Sequence, residues 1–251
     1  MLAHKFAEAV RETVTRVEST QMANIQRAAE AIAKSLANGG AFWVYQIGHG
    51  GERELTNRAG GLMATRVFSF GFHVDSPIAN ALKNRPRGSG ADPQSVHLDL
   101  ETICLAVKRS EMRAGDVIML ASVSGKNREP IELALAAKSI GATVVGITSL
   151  EYTAQVESLH PSGKKLCDVA DIVIDNCALF GDACIEVPGY EQKALPISGV
   201  AQITIGWMIC GEVIERMQAV GRPPHVYMSQ NRPGGAEYNE KALKEYNETG
   251  Y

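Results

Sequence analysis

An α/β fold, with a parallel sheet wrapped by helices on both faces, is the class this sequence predicts. Three observations carry it. Short β-branched runs alternate along the chain with segments of helical periodicity. The best-defined runs end in glycine- or serine-rich turns. The 251 residues show neither an internal repeat nor a linker, so residues 1–251 read as a single domain.

Taken in order, residues 2–37 place Phe6, Val10, Val14, Val17, Ile25, Ala29, Ile32 and Leu36 at helical spacing. Asn38-Gly39-Gly40 then supplies residues that tolerate a positive φ, so residues 1–38 read as a long N-terminal helix. Residues 41–47 (AFWVYQI) read as a buried strand that stops at Gly48-His49-Gly50-Gly51, with a helical stretch from Glu52. A second strand is expected at 67–70, then a polar Pro/Gly loop at 83–95 and a helix over 98–112. Residues 116–121 (DVIMLA) read as a central strand, 130–140 as a helix closed by Gly141, 143–147 as another strand and 172–174 as the next. A long helix fills 195–219 and is stopped by Gly221-Arg222-Pro223-Pro224. Residues 222–251 form a polar C-terminal arm, read either as a disordered tail or as a segment that packs on a partner subunit.

The formal charge is −3 with no long Lys/Arg run, which argues against nucleic acid or an anionic membrane as the main partner. Five cysteines (Cys104, Cys167, Cys177, Cys184, Cys210) form no CxxC pair and read as reduced thiols of a cytoplasmic protein. The first residues mix charge into every turn, unlike a signal peptide, and the apolar stretch 199–210 is too short to span a bilayer.

Two turns carry the chemistry. The central strand feeds into Ser122-Val123-Ser124-Gly125-Lys126-Asn127, just before a helix whose first turn holds Pro130. The free N–H groups of that turn and the helix dipole make an anion site. Ser122, Ser124 and Asn127 add side-chain donors, Gly125 allows close backbone approach, and Lys126 or Arg128 is placed to neutralise charge. A serine-rich capping turn is the alternative, but two serines, a glycine and an asparagine within six residues favour a phosphate monoester. The other turn, Gly48-His49-Gly50-Gly51, fails as GxGxxG because Arg53 holds the third glycine position, so it reads as a glycine-lined turn leaving room for a sugar. Neither turn is a Walker A motif or a GxSxG elbow.

The first glycine turn, the block SVSGKNREPIELALAAKSIGATVVGIT (122–148) and the helix around Ser198 to Glu215 together resemble the sugar isomerase (SIS) family of phosphosugar-binding domains. The tail, with Met228-Ser229-Gln230-Asn231 and Gly234-Gly235, is similar to a stand-alone subgroup of that family. The resemblance implies a flavodoxin-like three-layer αβα sandwich around a five-stranded parallel sheet, and a phosphate held by the serine loop. It also implies assembly as a homodimer or homotetramer with shared sites. The family includes aldose–ketose isomerases, a sugar-acid etherase and regulatory modules that sense sugar phosphates. The sequence departs from the phosphoheptose isomerases: where these carry a serine, a His ligand and a Glu after the first turn, and two histidines in the last helix, it holds Glu52, Arg58, Leu62, Gln202 and Trp207. No metal and no cofactor is therefore expected.

Aldose–ketose isomerisation needs a base near the carbon and an acid at the carbonyl oxygen. Glu52, following the first turn with Glu54 close by, His49, between two glycines of that turn, and Glu129, following the serine turn, are the candidates. Gly48, Gly50, Gly51, Ser122, Ser124, Gly125, Lys126 and Asn127 are the expected substrate and phosphate contacts. The remaining histidines examined, His73, His97, His160 and His225, show no metal-ligand spacing.

Overall fold

Alternating strand and helix segments close here into one sheet. The computed structural model describes residues 1–73, 75–86 and 97–251. Helix α1 (Leu2–Ala37) leads into β1 (Phe42–Tyr45), a 3-10 turn (Gly51–Leu55) and β2 (Thr65–Val67). Then come α2 (Leu98–Arg109), β3 (Val117–Ala121), α3 (Arg128–Ser139), β4 (Thr143–Thr148), α4 (Leu150–Ala154), α5 (Leu166–Val169) and β5 (Ile172–Asp175). A hairpin of β6 (Ala183–Ile185) and β7 (Ala194–Pro196) precedes the long α6 (Ser198–Ala219), and α7 (Gly235–Thr249) ends the chain. The five sheet strands are all parallel, in the order β2-β1-β3-β4-β5.

The two-residue period of a strand sorts the core. Val117, Met119 and Ala121 face one layer, packed with Val17, Ile25 and Ile32 of α1 and Ile205, Ile209 and Val213 of α6. Ile118 and Leu120 face the other, against Leu100, Ile103 and Val107 of α2 and Ile131 and Ala134 of α3. Both faces of β3 are buried, so it reads as a continuous apolar run, as a central parallel strand must. The sandwich and the five-stranded sheet expected from the sequence are what the chain forms.

Local chemistry explains where the elements differ. The helix expected from Glu52 is only a 3-10 turn, because Thr56 is extended and Asn57 (φ 50°) leaves helical space. The second strand lies at Thr65–Val67, ahead of the expected 67–70. The ladder ends where Phe68 N–H donates to the Val44 carbonyl (2.9 Å), and beyond it the aromatics pack on Tyr45, Phe68 edge-on and Phe70 stacked with centroids 5.8 Å apart. The hairpin of β6 and β7 was not legible, since each strand has three residues. Its second strand delays the start of α6 from 195 to Ser198.

The C-terminal arm is ordered and packs on its own sheet edge. Residues 225–227 run antiparallel to 60–63, with Met63 N–H donating to the His225 carbonyl (2.9 Å) and Tyr227 N–H to that of Gly61 (3.0 Å). The Tyr246 ring of α7 lies 4.5 Å from the Arg66 guanidinium carbon. The arm thus covers the flank of the edge strand β2.

At the amino end of the sheet, buried Asp116 accepts three bonds: Ala41 N–H at 2.8 Å, Trp43 Nε1–H at 2.9 Å and Arg113 N–H at 3.0 Å. It stitches the starts of β1 and β3 together. Asp116→Ala orphans these donors and should destabilise the fold by about 3 kcal/mol, the cost of leaving buried donors unpaired. Urea denaturation reads the difference, and a loss below about 1 kcal/mol would show that water or backbone replaces the carboxylate.

Candidate functional site

The strand order reverses between β1 and β3, and ligands of open α/β sheets bind past the carboxyl ends of strands at such a point. Both chemistry-bearing turns meet there. The turn after β1 runs through Gln46 (φ 52°), Gly48 (64°), His49 (56°) and Gly50 (89°). Helix α6 shapes it: Gly48 N–H donates to Gln202 Oε1 at 2.7 Å, and a Cβ on Gly48 would stand 3.2 Å from Ile203. Gly48 and Gly51 therefore make room for α6, and none of Gly48, Gly50 and Gly51 lines the cavity. The turn contributes Gln46 and His49 to it.

The serine loop is held from behind by residues 148–166. The Val123 carbonyl accepts from Thr148 Oγ1 (3.1 Å) and Ser149 N–H (2.9 Å). That of Ser124 accepts from Thr153 Oγ1 (3.1 Å), that of Gly125 from Leu166 N–H (2.8 Å) and that of Lys126 from Leu159 N–H (2.9 Å). In a planar trans peptide the next N–H points opposite to the carbonyl, and no cis bond interrupts the described loop. Four carbonyls drawn one way thus turn the following amides the other way. The Gly125 amide is used internally, donating to the Ser122 carbonyl at 3.0 Å. The amides of Ser124, Lys126 and Asn127, and the side chains of Ser122, Ser124 and Asn127, have no protein partner among the described residues. Asn127 is the N-cap of α3, so these donors sit at a helix N-terminus with no side-chain cap. Gly125 (φ 64°) earns its place by packing: a Cβ there would fall 2.9 Å from Thr153 Oγ1 and 3.0 Å from Thr148 Oγ1.

Ser122, Ser124, Asn127, Gln46 and His49 line one cavity of about 250 Å³, completed by Tyr152, Asp182 and Gln202. Gln202 is fully buried, and its Nε2 has no partner among the described residues. Asp182 (φ 66°) accepts from Ile197 N–H (3.2 Å), Ser198 N–H (2.8 Å) and Ser198 Oγ (2.8 Å). Two helix N-termini thus converge on the cavity: that of α6 is answered by a carboxylate, and that of α3 is open.

Lys126, Arg128, Glu129 and Glu54 fall outside it. Lys126 does not line the cavity. Arg128 forks onto Asp99 (2.7 and 2.9 Å), and that bond holds the Asp99 carboxyl below the usual carboxylate range. Glu129 accepts from Tyr45 Oη and from Gln46 Nε2 (2.8 Å), so it anchors a cavity residue from the adjoining groove. Glu52 belongs to the 3-10 turn, and its side chain lies outside the described residues. Glu54 pairs with Arg58 at 2.5 Å. Sequence reasoning missed Gln46, Tyr152 and Asp182 as cavity residues. Gln202 carried a signal, a lone amide on an otherwise apolar helix face. Among the described residues no three His, Cys, Asp or Glu side chains group as a metal site.

The family model of the SIS domain matches residues 5–149. The chain belongs to the SIS domain family. It is 36% identical over 247 residues to a UPF0309 protein of Caldanaerobacter subterraneus subsp. tengcongensis, covering 96% of each chain. A UPF0309 protein of Thermoanaerobacter pseudethanolicus is also 36% identical, over 249 residues and 96% of each chain. Among solved structures, the phosphoheptose isomerase of Neisseria gonorrhoeae superposes with a TM-score of 0.52 at 16% identity, over 86% of this chain and 97% of that one. The phosphoheptose isomerase from Francisella tularensis gives 0.51 at 14%, over 84% and 95%. These structural likenesses establish the SIS fold. Of the positions singled out in the sequence, Gln202 lies in the cavity, while Arg58 pairs with Glu54 and Trp207 packs against the core.

Beside the serine loop, Cys104 Sγ donates to Glu132 Oε1 at 2.8 Å. Desolvation first, then that bond and the charge of Glu132, push the thiol up to about 11 from 9.0. The unfolded thiol ionises near 9.0 while the folded one keeps its proton, so the contribution is present below that pH and lost as pH rises through about 11. The stability gap between the parent and Cys104→Ala should therefore narrow from pH 9 to 11, read by urea unfolding across that range; a constant gap refutes the assignment. Gly125→Ala forces a left-handed alanine against two threonine hydroxyls and should cost about 1–3 kcal/mol in the same assay.

Proposed function

We propose that the cavity binds a phosphorylated sugar, with the phosphate on the serine loop, and that the chain interconverts its aldose and ketose forms. The observation that carries this reading is the set of unpartnered donors at the open N-terminus of α3, three amides and three polar side chains. A phosphate monoester has enough acceptor oxygens to take them all, and the helix terminus favours its charge. Neutral donors suffice, since Arg128 is committed to Asp99. The volume supports a small ligand: about 250 Å³ falls below the range for drug-sized molecules, ~300–1,000 Å³, and suits a monosaccharide phosphate better than a dinucleotide.

The sugar then extends toward His49, Gln46, Tyr152 and Gln202. In isomerisation a base removes the proton on the carbon next to the carbonyl, and the electron pair moves to the carbonyl oxygen as an enediolate. The proton of the neighbouring hydroxyl passes to that oxygen, the base returns its proton to the former carbonyl carbon, and the electron pair left on the neighbouring oxygen forms the new carbonyl. His49, which lines the cavity, is assigned the proton transfer. The unpaired Nε2–H of Gln202 is assigned to the developing oxyanion, where a preorganised buried donor is worth most. Glu129 acts through Gln46, holding its amide at the cavity wall.

A thermal-shift series of phosphorylated C4–C7 sugars, each beside its unphosphorylated parent, should show stabilisation only with the phosphate. Ser124→Ala should weaken the best ligand roughly tenfold by calorimetry, the worth of one hydrogen bond to a charged acceptor, with little change in stability. Equal shifts with and without phosphate would reduce the loop to a helix cap. Proton NMR of the bound sugar then separates the halves of the reading: isomer formation supports catalysis, and binding without conversion leaves a sugar-phosphate sensor.

A further inference from the structure

Residues 158–166 supply two of the amides that hold the serine loop, and their own anchorage is unusual. Leu159 N–H reaches the Lys126 carbonyl at 2.9 Å, and Leu166 N–H reaches that of Gly125 at 2.8 Å. Between them the chain winds around one buried imidazole. His160 N–H donates to Ser158 Oγ (3.0 Å), Gly163 N–H to the His160 carbonyl (2.9 Å), and Ser162 N–H to His160 Nδ1 (3.2 Å). Because Nδ1 accepts from an amide, the ring proton resides on Nε2, which donates to Glu132 Oε2 at 2.8 Å. The other Glu132 oxygen accepts from Cys104. Glu132 belongs to α3, the helix whose N-terminus the serine loop forms. His160 and Glu132 side chains are 5% and 15% exposed, so water screens their contact little.

This geometry closes a ring: serine loop to α3, α3 through Glu132 to His160, and His160 through Leu159 back to the serine loop. We propose that His160 is a positioning residue for anion binding. Its bond to Glu132 fixes the 158–166 turn on α3, which fixes the Gly125 and Lys126 carbonyls and so aims the Lys126 and Asn127 amides at the ligand. The imidazole itself does not line the cavity. The inference rests on the phosphate-cradle reading above.

The test is an amide NMR titration of the full chain with inorganic phosphate, following Lys126 and Asn127. His160→Phe keeps the shape and removes the ring's contacts with Glu132 Oε2, Ser162 N–H and Ser162 Oγ (2.7 Å), while His160→Gln keeps one N–H donor. Asp116→Ala, at the opposite end of the sheet, serves as a variant destabilised elsewhere. His160→Phe should weaken phosphate binding roughly tenfold, the effect of misplacing one charge-assisted donor, while His160→Gln stays within about threefold of the parent. Asp116→Ala should bind as the parent does. Parent-like affinity in His160→Phe overturns the proposal, as does an equal loss in Asp116→Ala. Should His160→Phe not fold, hydrogen exchange of the parent decides: phosphate must slow exchange at Leu159 and Leu166, and unchanged rates there overturn it. A parent that binds no phosphate sinks the cradle itself, a result distinct from parental binding that His160→Phe leaves intact.

Discussion

Four successive carbonyls, those of Val123, Ser124, Gly125 and Lys126, are all drawn toward residues 148–166 by five hydrogen bonds. Peptide planarity converts this into its mirror image: of the amides that follow, that of Gly125 turns back to the Ser122 carbonyl, and those of Ser124, Lys126 and Asn127 face away from the described protein. A run of unpaired amides is normally a cost to folding. Here the cost is offset by saturating every carbonyl of the same segment and by placing the run at a helix N-terminus, where its partial charge is oriented toward one spot. The buried threonines at 148 and 153, Gly125 packed against their hydroxyls and the compact turn around His160 all serve this arrangement.

Electrostatics decides which of two helix ends receives the anion. Helices α3 and α6 both start at the cavity, and either dipole would attract a phosphate. Asp182 occupies the start of α6 with three hydrogen bonds, so its field is spent internally and its carboxylate repels a second anion. The start of α3 has no such occupant. On the proposed reading, a ligand with one charged end would be oriented with its anionic end on the serine loop and its neutral end toward Gln202. Next to the loop, Arg128 is paired to Asp99, so on the proposed reading the cradle would discriminate by direction of donors rather than by net charge.

The sequence by itself determined the periodic parts of this protein. The long helix, both faces of β3, the glycine and serine turns and the parallel sheet follow from patterns of apolar residues over a few turns or strands, and local sterics enforces them. Ser122, Ser124 and Asn127 were legible for the same reason: donor-rich residues at a strand-to-helix turn have their geometry set by neighbours in sequence. Contacts between residues far apart in the sequence were not legible. Tertiary structure alone brought Gln202 under Gly48 and set Asp182 on the first turn of α6. It gave the glycines after β1 to helix packing, tied Glu129 to Tyr45 and Gln46, and folded the arm back onto its own sheet edge. Those outcomes depend on which helix covers which strand, a global solution to burying both sheet faces, and no local window of residues contains that information.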